Sequence, residues 1–151
     1  MPGSAVLVGM FVLAALAGVS FVFQQAVNAN LRAELGYPFW AGFVSYLGGT
    51  IAMLVMVFAM REPWLSGQMI GRTSLVSWTG GIFGAIYIAI SILLLPRIGA
   101  ATLVALIVLG QMVASLAFDH YGILGVPVQP AEITRLLGAG FLVVGVVLVK
   151  L

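Results

Sequence analysis

The sequence predicts an all-α integral membrane protein with five transmembrane helices. Hydrophobic residues make up 63 % of the 151 residues, and charged residues make up 7 %. A soluble domain has roughly a quarter of its residues charged, so this composition does not suit an aqueous surface. The six Lys and Arg and the four Asp and Glu residues fall mostly between five long apolar runs. In a bilayer each run can satisfy its backbone N–H and C=O groups within its own helix.

The five apolar runs each match the length of a membrane span. The hydrocarbon core is about 30 Å thick, which takes about 20 helical residues to cross. We read the whole chain, residues 1–151, as one domain, with spans at about Ala5–Val27, Phe39–Met60, Leu75–Leu95, Ala100–Phe118 and Ala131–Val149.

The ends of the spans carry their own signals. The first run is longer than a signal-peptide core and has no basic residue before it, so we expect a retained helix. The second begins with Tyr37, Phe39 and Trp40, which is typical of rings at the headgroups. Pro96 is expected to end the third helix and to start a tight connection ending at Gly99. In the fifth, Glu132 and Arg135 are three residues apart and are expected to pair on one helix face.

Several functional classes are disfavoured. Cysteine is absent, which excludes disulfides and thiolate metal sites. No basic cluster suits nucleic acid, and no nucleophile–base pair or metal cluster indicates an enzyme. We therefore expect no cofactor, no metal and no nucleic-acid partner.

The positive charges are balanced across the predicted membrane. If five helices span, three of these residues lie on each side: Arg61, Arg72 and Arg135 against Arg32, Arg97 and Lys150. Orientation normally follows an excess of Lys and Arg on the cytoplasmic side, so no orientation is preferred. Either a small protein balances by chance, or copies insert both ways and pair antiparallel, as a two-chain inverted repeat.

Polar residues within the spans recur at helical spacing and are the candidate substrate-binding groups. Gln111 is eleven residues into its span, roughly 17 Å along the axis and near the midplane. Lipid cannot satisfy its amide, so it must face the protein interior, a partner chain or water. Gln25 and Asn28 are nearer an interface. For all three residues, lining a pathway and clasping helices together remain open alternatives.

Small-residue stripes accompany these amides. In the third span Tyr87 and Ser91 share a stripe with Gly80 and Gly84, which leaves room for a small ligand beside an aromatic ring. The stripe of the second span, which comprises Gly42, Ser45 and Gly49 next to Tyr46 and Thr50, is interpreted as close helix packing.

Asp119 and His120 close the fourth span. They are either an ordinary polar helix end or groups for gating or proton transfer at a cavity mouth.

Taken together, these segments resemble the short YdcZ-type inner-membrane exporters of the drug/metabolite transporter superfamily. The resemblance covers all but the last helix and rests on the order and spacing of Gln25–Gly36, Ser45–Thr50, Pro96–Ala101, Gly110–Gln111 and Asp119–Gly122.

The resemblance implies a bacterial inner-membrane half-transporter. Its partner would be a second copy in antiparallel orientation or an oppositely oriented paralogue, and its substrate an unidentified small molecule. The four-helix multidrug members of the superfamily carry a glutamate in the first helix where this chain has Ser20, Gln24 and Gln25, so their coupling chemistry does not carry over. A dual-topology small-ion channel and a non-transporting scaffold remain the alternative interpretations.

Overall fold

The computed structural model describes residues 3–150, which form helices and connections without a β-strand. The chain divides into two compact units, Met1–Pro96 and Arg97–Leu151. The expectation of a single domain stays a prediction. The side chain of Lys150, one of the six charges in the balance, lies outside the described residues.

The first unit begins with α1, Ser4–Leu35, which continues past the predicted end at Val27. The predicted boundary followed the end of the apolar run, but polar residues do not stop a helix. Asn30 Nδ2 donates to Glu34 Oε1 at 2.8 Å one turn along, which supports the extension. The helix ends where Gly36 takes a left-handed conformation (φ 76°) and its N–H donates to the Arg32 carbonyl.

Helix α2, Pro38–Ala59, packs against α1 and approaches α4, Gly80–Ile98. Ala41 is fully buried with Ile88 and Ile92, which form the apolar centre of the unit. A Cβ on Gly42 would lie 3.6 Å from the Ile92 side chain, which is an ordinary van der Waals contact. The interpretation of this stripe as close helix packing stays a prediction.

The connection from α2 to α4 contains the short helix α3, Gly67–Gly71, and a 3-10 turn over Leu75–Thr79. The side chain of Ser66 accepts a hydrogen bond from the Met69 N–H at 3.3 Å and so caps α3. The third predicted span thus starts as a 3-10 turn, and its α-helix begins at Gly80.

Pro96 lies inside α4 and does not end it, so the prediction of a helix end at this proline was wrong. Proline has no N–H to donate to the carbonyl of Ile92, four residues earlier. Arg32 Nη1 donates to that carbonyl at 2.7 Å and replaces the missing helical bond. The helix therefore continues to Ile98, and Gly99 alone connects it to the next helix.

The second unit is a pair of packed helices, α5 (Ala100–Tyr121) and α6 (Ile133–Lys150). Gly122 (φ 62°) ends α5, and a Cβ there would lie 2.8 Å from the Val128 side chain. The returning chain is fixed to the helix end where the Gln129 N–H donates to the Asp119 carbonyl at 2.8 Å.

The described residues contain four helices that are long and apolar enough to cross a bilayer: Ser4–Leu35, Pro38–Ala59, Leu75–Ile98 and Ala100–Tyr121. A fifth apolar helix, Ile133–Val149, is shorter. The all-helical membrane class predicted from the sequence is therefore confirmed. The count of exactly five spans stays a prediction.

Candidate functional site

Tyr87 lies where the polar residues of α1 and α4 meet in the first unit. The amide Nε2 of Gln25 donates to its hydroxyl oxygen at 2.6 Å, and the Ser91 hydroxyl donates to its backbone carbonyl at 2.9 Å. The ring of Phe21 packs on the Tyr87 ring with the centroids 5.3 Å apart. Gln25 and Ser91 are each 1 % exposed. The Tyr87 side chain is thus contacted by Gln25 and Phe21, whereas Ser91 bonds only to its backbone.

Two buried amide atoms of α1 have no hydrogen-bond partner among the described residues. They are Oε1 of Gln25 and Nδ2 of Asn28. Asn28 is one turn after Gln25 and is 3 % exposed. Exchanging the two amide atoms of Gln25 would leave Nε2 unpaired instead, so either orientation leaves one polar atom unsatisfied. Buried polar groups are rarely left in this state, which marks this face of α1 as a place for a further polar partner.

A cavity of about 450 Å³ lies between α1, α2 and α4 at mid-length of the latter two helices. Five of its lining residues have polar side chains: Gln24, Ser45, Tyr46, Thr50 and Tyr87. The remaining lining consists of Gly49, Met53 and Ile88. The volume falls in the range of small-molecule sites. No charged side chain is among these described lining residues.

The cavity divides the substrate-binding residues predicted in the first unit into two groups. Tyr87 lines it, whereas Gln25, Asn28 and Ser91 are buried outside its lining. Gln25 contacts the cavity lining through its hydrogen bond to Tyr87. The substrate-binding roles of Gln25, Asn28 and Ser91 stay predictions.

Sequence reasoning missed the contribution of α2, whose polar stripe was interpreted as packing. Ser45, Tyr46 and Thr50 line the cavity, and Gln24 Nε2 donates to the Ser45 hydroxyl over a long 3.4 Å. Small residues at helical spacing do favour packing, but a tyrosine within such a stripe needs space on the facing helix. A tyrosine among the small residues of α2 is therefore the sequence feature that could have indicated a cavity beside this helix.

Gly84 of α4 supplies this space. A Cβ on Gly84 would overlap the hydroxyl of Tyr46, so the room predicted beside Gly80 and Gly84 is filled at Gly84 by a side chain of the same protein. Tyr46 also lines a second cavity of about 270 Å³ towards the start of α2, as does Ile88.

The other three candidate residues belong to the second unit. Gln111 is exposed on α5, so its amide is not clasped within this unit. Asp119 Oδ2 accepts from Arg135 Nη1 at 3.2 Å, and Gln129 Oε1 accepts from the other guanidinium nitrogen. The expected side-chain pair of Glu132 with Arg135 is not formed, because the chain turns back and brings Arg135 to Asp119.

His120 has a structural contact of its own. Its Nδ1 accepts a hydrogen bond from the Ala131 N–H at 3.2 Å, and its ring lies edge-on to Tyr121. Asp119 and His120 therefore both contact the chain between α5 and α6, and the choice between a polar helix end and a gating or proton-transfer role stays a prediction. Among the described residues, no three His, Cys, Asp or Glu side chains come together as a metal site would require.

Comparison with known proteins places the chain in one family. A family model described as "Putative inner membrane exporter, YdcZ" matches residues 9–148. The chain is 29 % identical over 139 residues to the inner membrane protein YdcZ of Escherichia coli strain K12, covering 88 % of this chain and 89 % of that protein. No solved structure matches.

These matches confirm the resemblance drawn from the sequence. Together with the apolar helices they establish a multi-pass inner-membrane protein, and the family description names a membrane transporter and not an enzyme. The chain belongs to the YdcZ family, whose description is "Putative inner membrane exporter, YdcZ".

Proposed function

We propose that this chain is one half of a transporter for a small solute, working by alternating access as an antiparallel dimer. The observation that carries the proposal is the cavity of about 450 Å³ at mid-length of α2 and α4, lined by hydroxyl and amide groups. Secondary transporters bind their substrates near the bilayer midplane, between helices that rearrange. A packing scaffold has no need for an open polar space at that depth.

The fifth span is part of the proposal. Ile133–Val149 would extend about 26 Å, slightly less than the usual hydrocarbon thickness. Arg135 in its first turn can reach the headgroups, and local thinning of the bilayer accommodates a short helix at modest cost. With five spans the two chain ends lie on opposite sides, as an inverted half requires.

The antiparallel dimer is supported by charge and by exposed surface. The three-to-three charge balance favours neither orientation. Gln111 is exposed in the single chain, although its amide needs a polar partner in the hydrocarbon region. We assign that partner to the second copy or to a pathway between the copies. An oppositely oriented paralogue would serve in the same way.

The candidate residues take distinct roles in this proposal. Tyr87 contacts the solute, and Gln25 and Ser91 hold Tyr87. Asn28 offers its unpaired amide nitrogen as the helices move, and Gln111 of α5 is a further solute-binding residue in this proposal. Asp119 and His120 gate the pathway by making or breaking their contacts at the end of α5.

Efflux from proteoliposomes tests the proposed function without assuming a substrate. Vesicles are loaded with the low-molecular-mass fraction of a bacterial extract, and mass spectrometry identifies solutes that leave faster than from protein-free vesicles. We expect at least one such solute, with its efflux reduced at least tenfold by Asn28→Ala and by Gln111→Ala.

The matched controls are Asn30→Ala and Gln68→Ala, which remove exposed amides of the same types. The proposal is wrong if no solute leaves faster, or if both test variants, shown to be folded and dimeric, transport like the wild type.

A further inference from the structure

We propose that the cavity between α1, α2 and α4 binds an uncharged solute that combines an aromatic ring with an amide or similar polar group. This inference rests on the proposed function and names the substrate class that the site would take. It follows from three properties of the lining: its lack of charge, its paired tyrosines and its hydrogen-bonding groups.

The residues that line the cavity have hydrogen-bonding side chains but no charged side chain. Gln24, Ser45, Tyr46, Thr50 and Tyr87 are all uncharged at neutral pH. An ionic solute would lose its hydration here without meeting an opposite charge, and this cost is greatest at mid-span depth. Tyrosine rings attract cations, but that attraction is weaker than a carboxylate partner would provide. The lining therefore favours a neutral molecule over either ion.

The hydrogen-bonding pattern selects for an acceptor and a donor on the same molecule. With the Gln25 amide oriented so that Nε2 donates to the Tyr87 oxygen, the Tyr87 O–H proton is free to donate into the cavity; in the exchanged orientation that proton binds Gln25 Oε1 and the Tyr87 oxygen is left to accept. Among the described residues, neither the Tyr87 nor the Tyr46 hydroxyl donates to another group. Gln24 uses its Nε2 on Ser45, which leaves its Oε1 to accept. A carbonyl and an N–H of one ligand would satisfy both sides.

The apolar part of the lining suits a flat ring. Tyr46 and Tyr87 present aromatic surface, and Met53 and Ile88 complete the wall. Aromatic rings gain from offset or edge contacts with one another beyond simple burial. Gly49 keeps one side of the cavity open, since nothing lies within 4 Å of where its Cβ would be. A substituted benzene ring with a short polar arm fits the volume.

Three probes with the same carbon skeleton test the charge preference. They are 2-phenylacetamide, which is neutral, phenylacetate, an anion, and phenethylamine, a cation. Binding is measured by calorimetry on the dimeric protein in nanodiscs, with empty nanodiscs subtracted to remove partition into lipid. We expect 2-phenylacetamide to bind at least tenfold more tightly than either ion.

Two adjacent glycines of α2 provide a matched pair of variants. Gly49 lines the cavity and Gly48 does not, and neither has an atom within 4 Å of a built Cβ. Gly49→Leu should fill the cavity and weaken 2-phenylacetamide binding at least tenfold, whereas Gly48→Leu should leave it within twofold. Equal binding of an ion, or unchanged binding by a folded Gly49→Leu variant, would overturn the inference.

The outcomes separate this inference from the proposed function. Binding of 2-phenylacetamide that depends on Gly49, without counterflow of the labelled probe in proteoliposomes, would contradict transport and leave the ligand class standing. Solute efflux that survives Gly49→Leu would support transport and contradict the assignment of the cavity.

Discussion

At the scale of single residues, the hydrogen bond from Gln25 to Tyr87 joins a residue buried outside the cavity to one that lines it. Substituting Gln25 and substituting Tyr87 leave different polar atoms without a hydrogen-bond partner. A lost hydrogen bond costs about 1 kcal/mol, whereas a buried polar atom left unpaired costs about 1–3 kcal/mol. Gln25 already buries one unpaired atom, which Tyr87 does not relieve.

We therefore predict that substitutions at the two ends of this bond change the unfolding free energy by different amounts. Gln25→Met removes the hydrogen bond together with the unpaired amide atom, so the unfolding free energy should change by less than about 1 kcal/mol. Tyr87→Phe leaves both atoms of the amide end unpaired and should destabilise by about 1–3 kcal/mol. Denaturant titration of the purified protein in micelles measures both values. A larger loss for Gln25→Met than for Tyr87→Phe would contradict the assigned roles.

The sequence was enough to single out Gln25, Tyr87 and Ser91, because amides and hydroxyls in apolar helices must find partners. It was not enough to pair them, since Gln25 and Tyr87 are 62 residues apart in the chain. The supporting role proposed for Gln25 follows from the position of the cavity relative to Tyr87. Tertiary packing determines this position, and the spacing of residues along a helix does not predict it.

At the scale of elements, the C-terminal turns of α4 depend on a side chain from α1. Pro96 leaves the Ile92 carbonyl without its helical donor, and Ile92 is 1 % exposed, so water does not replace it. Arg32 fills this gap at 2.7 Å. The pair explains why a helix with an internal proline continues and why a basic residue occurs near the end of α1.

This contact predicts a coupling between Arg32 and Pro96. Arg32→Ala should destabilise by about 1–3 kcal/mol, because it leaves a buried carbonyl unpaired. Pro96→Ala restores the backbone donor, so the cost of Arg32→Ala should fall by about 1 kcal/mol or more in that background. A double-mutant cycle measured by denaturant titration gives the coupling.

Arg97→Ala is the matched control, since it removes the same charge from the same predicted side. Arg97 is exposed, and its guanidinium makes no hydrogen bond within the described part of the chain. Its loss should cost little in either background. Additive effects of Arg32→Ala and Pro96→Ala would show that Arg32 does not replace the helical bond.

Some helix boundaries can be predicted from the residues at the boundary alone. Gly36 and Pro38 mark the turn between α1 and α2, and Gly122 marks the end of α5, as turn residues usually do. The prediction at Pro96 was wrong because a proline ends a helix only if the carbonyl four residues earlier finds no other donor. Whether Arg32 is near enough to donate is settled by the packing of two distant segments.

At the scale of the whole molecule, composition alone predicted the membrane class, and the family match agrees with it. The channel alternative would call for charged rings or a carbonyl-lined filter, whereas the described lining of the cavity between α1, α2 and α4 is uncharged. The scaffold alternative would leave that cavity without a purpose. Both differ from the proposed transporter in the flux that they predict.

The antiparallel dimer is the central claim at this scale, and the lack of cysteine makes it directly measurable. Gln68→Cys lies in the connection after α2, where Gln68 is exposed and does not cap a helix as Ser66 does. Tyr37→Cys lies in the turn after α1, on the opposite predicted side. Both would be treated with a membrane-impermeant maleimide in intact cells and again after lysis.

If copies insert in both orientations, about half of each variant should react from outside, and the rest should react only after lysis. Complete labelling at one position with none at the other would show a single orientation. That result would contradict the antiparallel homodimer and direct the search to an oppositely oriented partner chain.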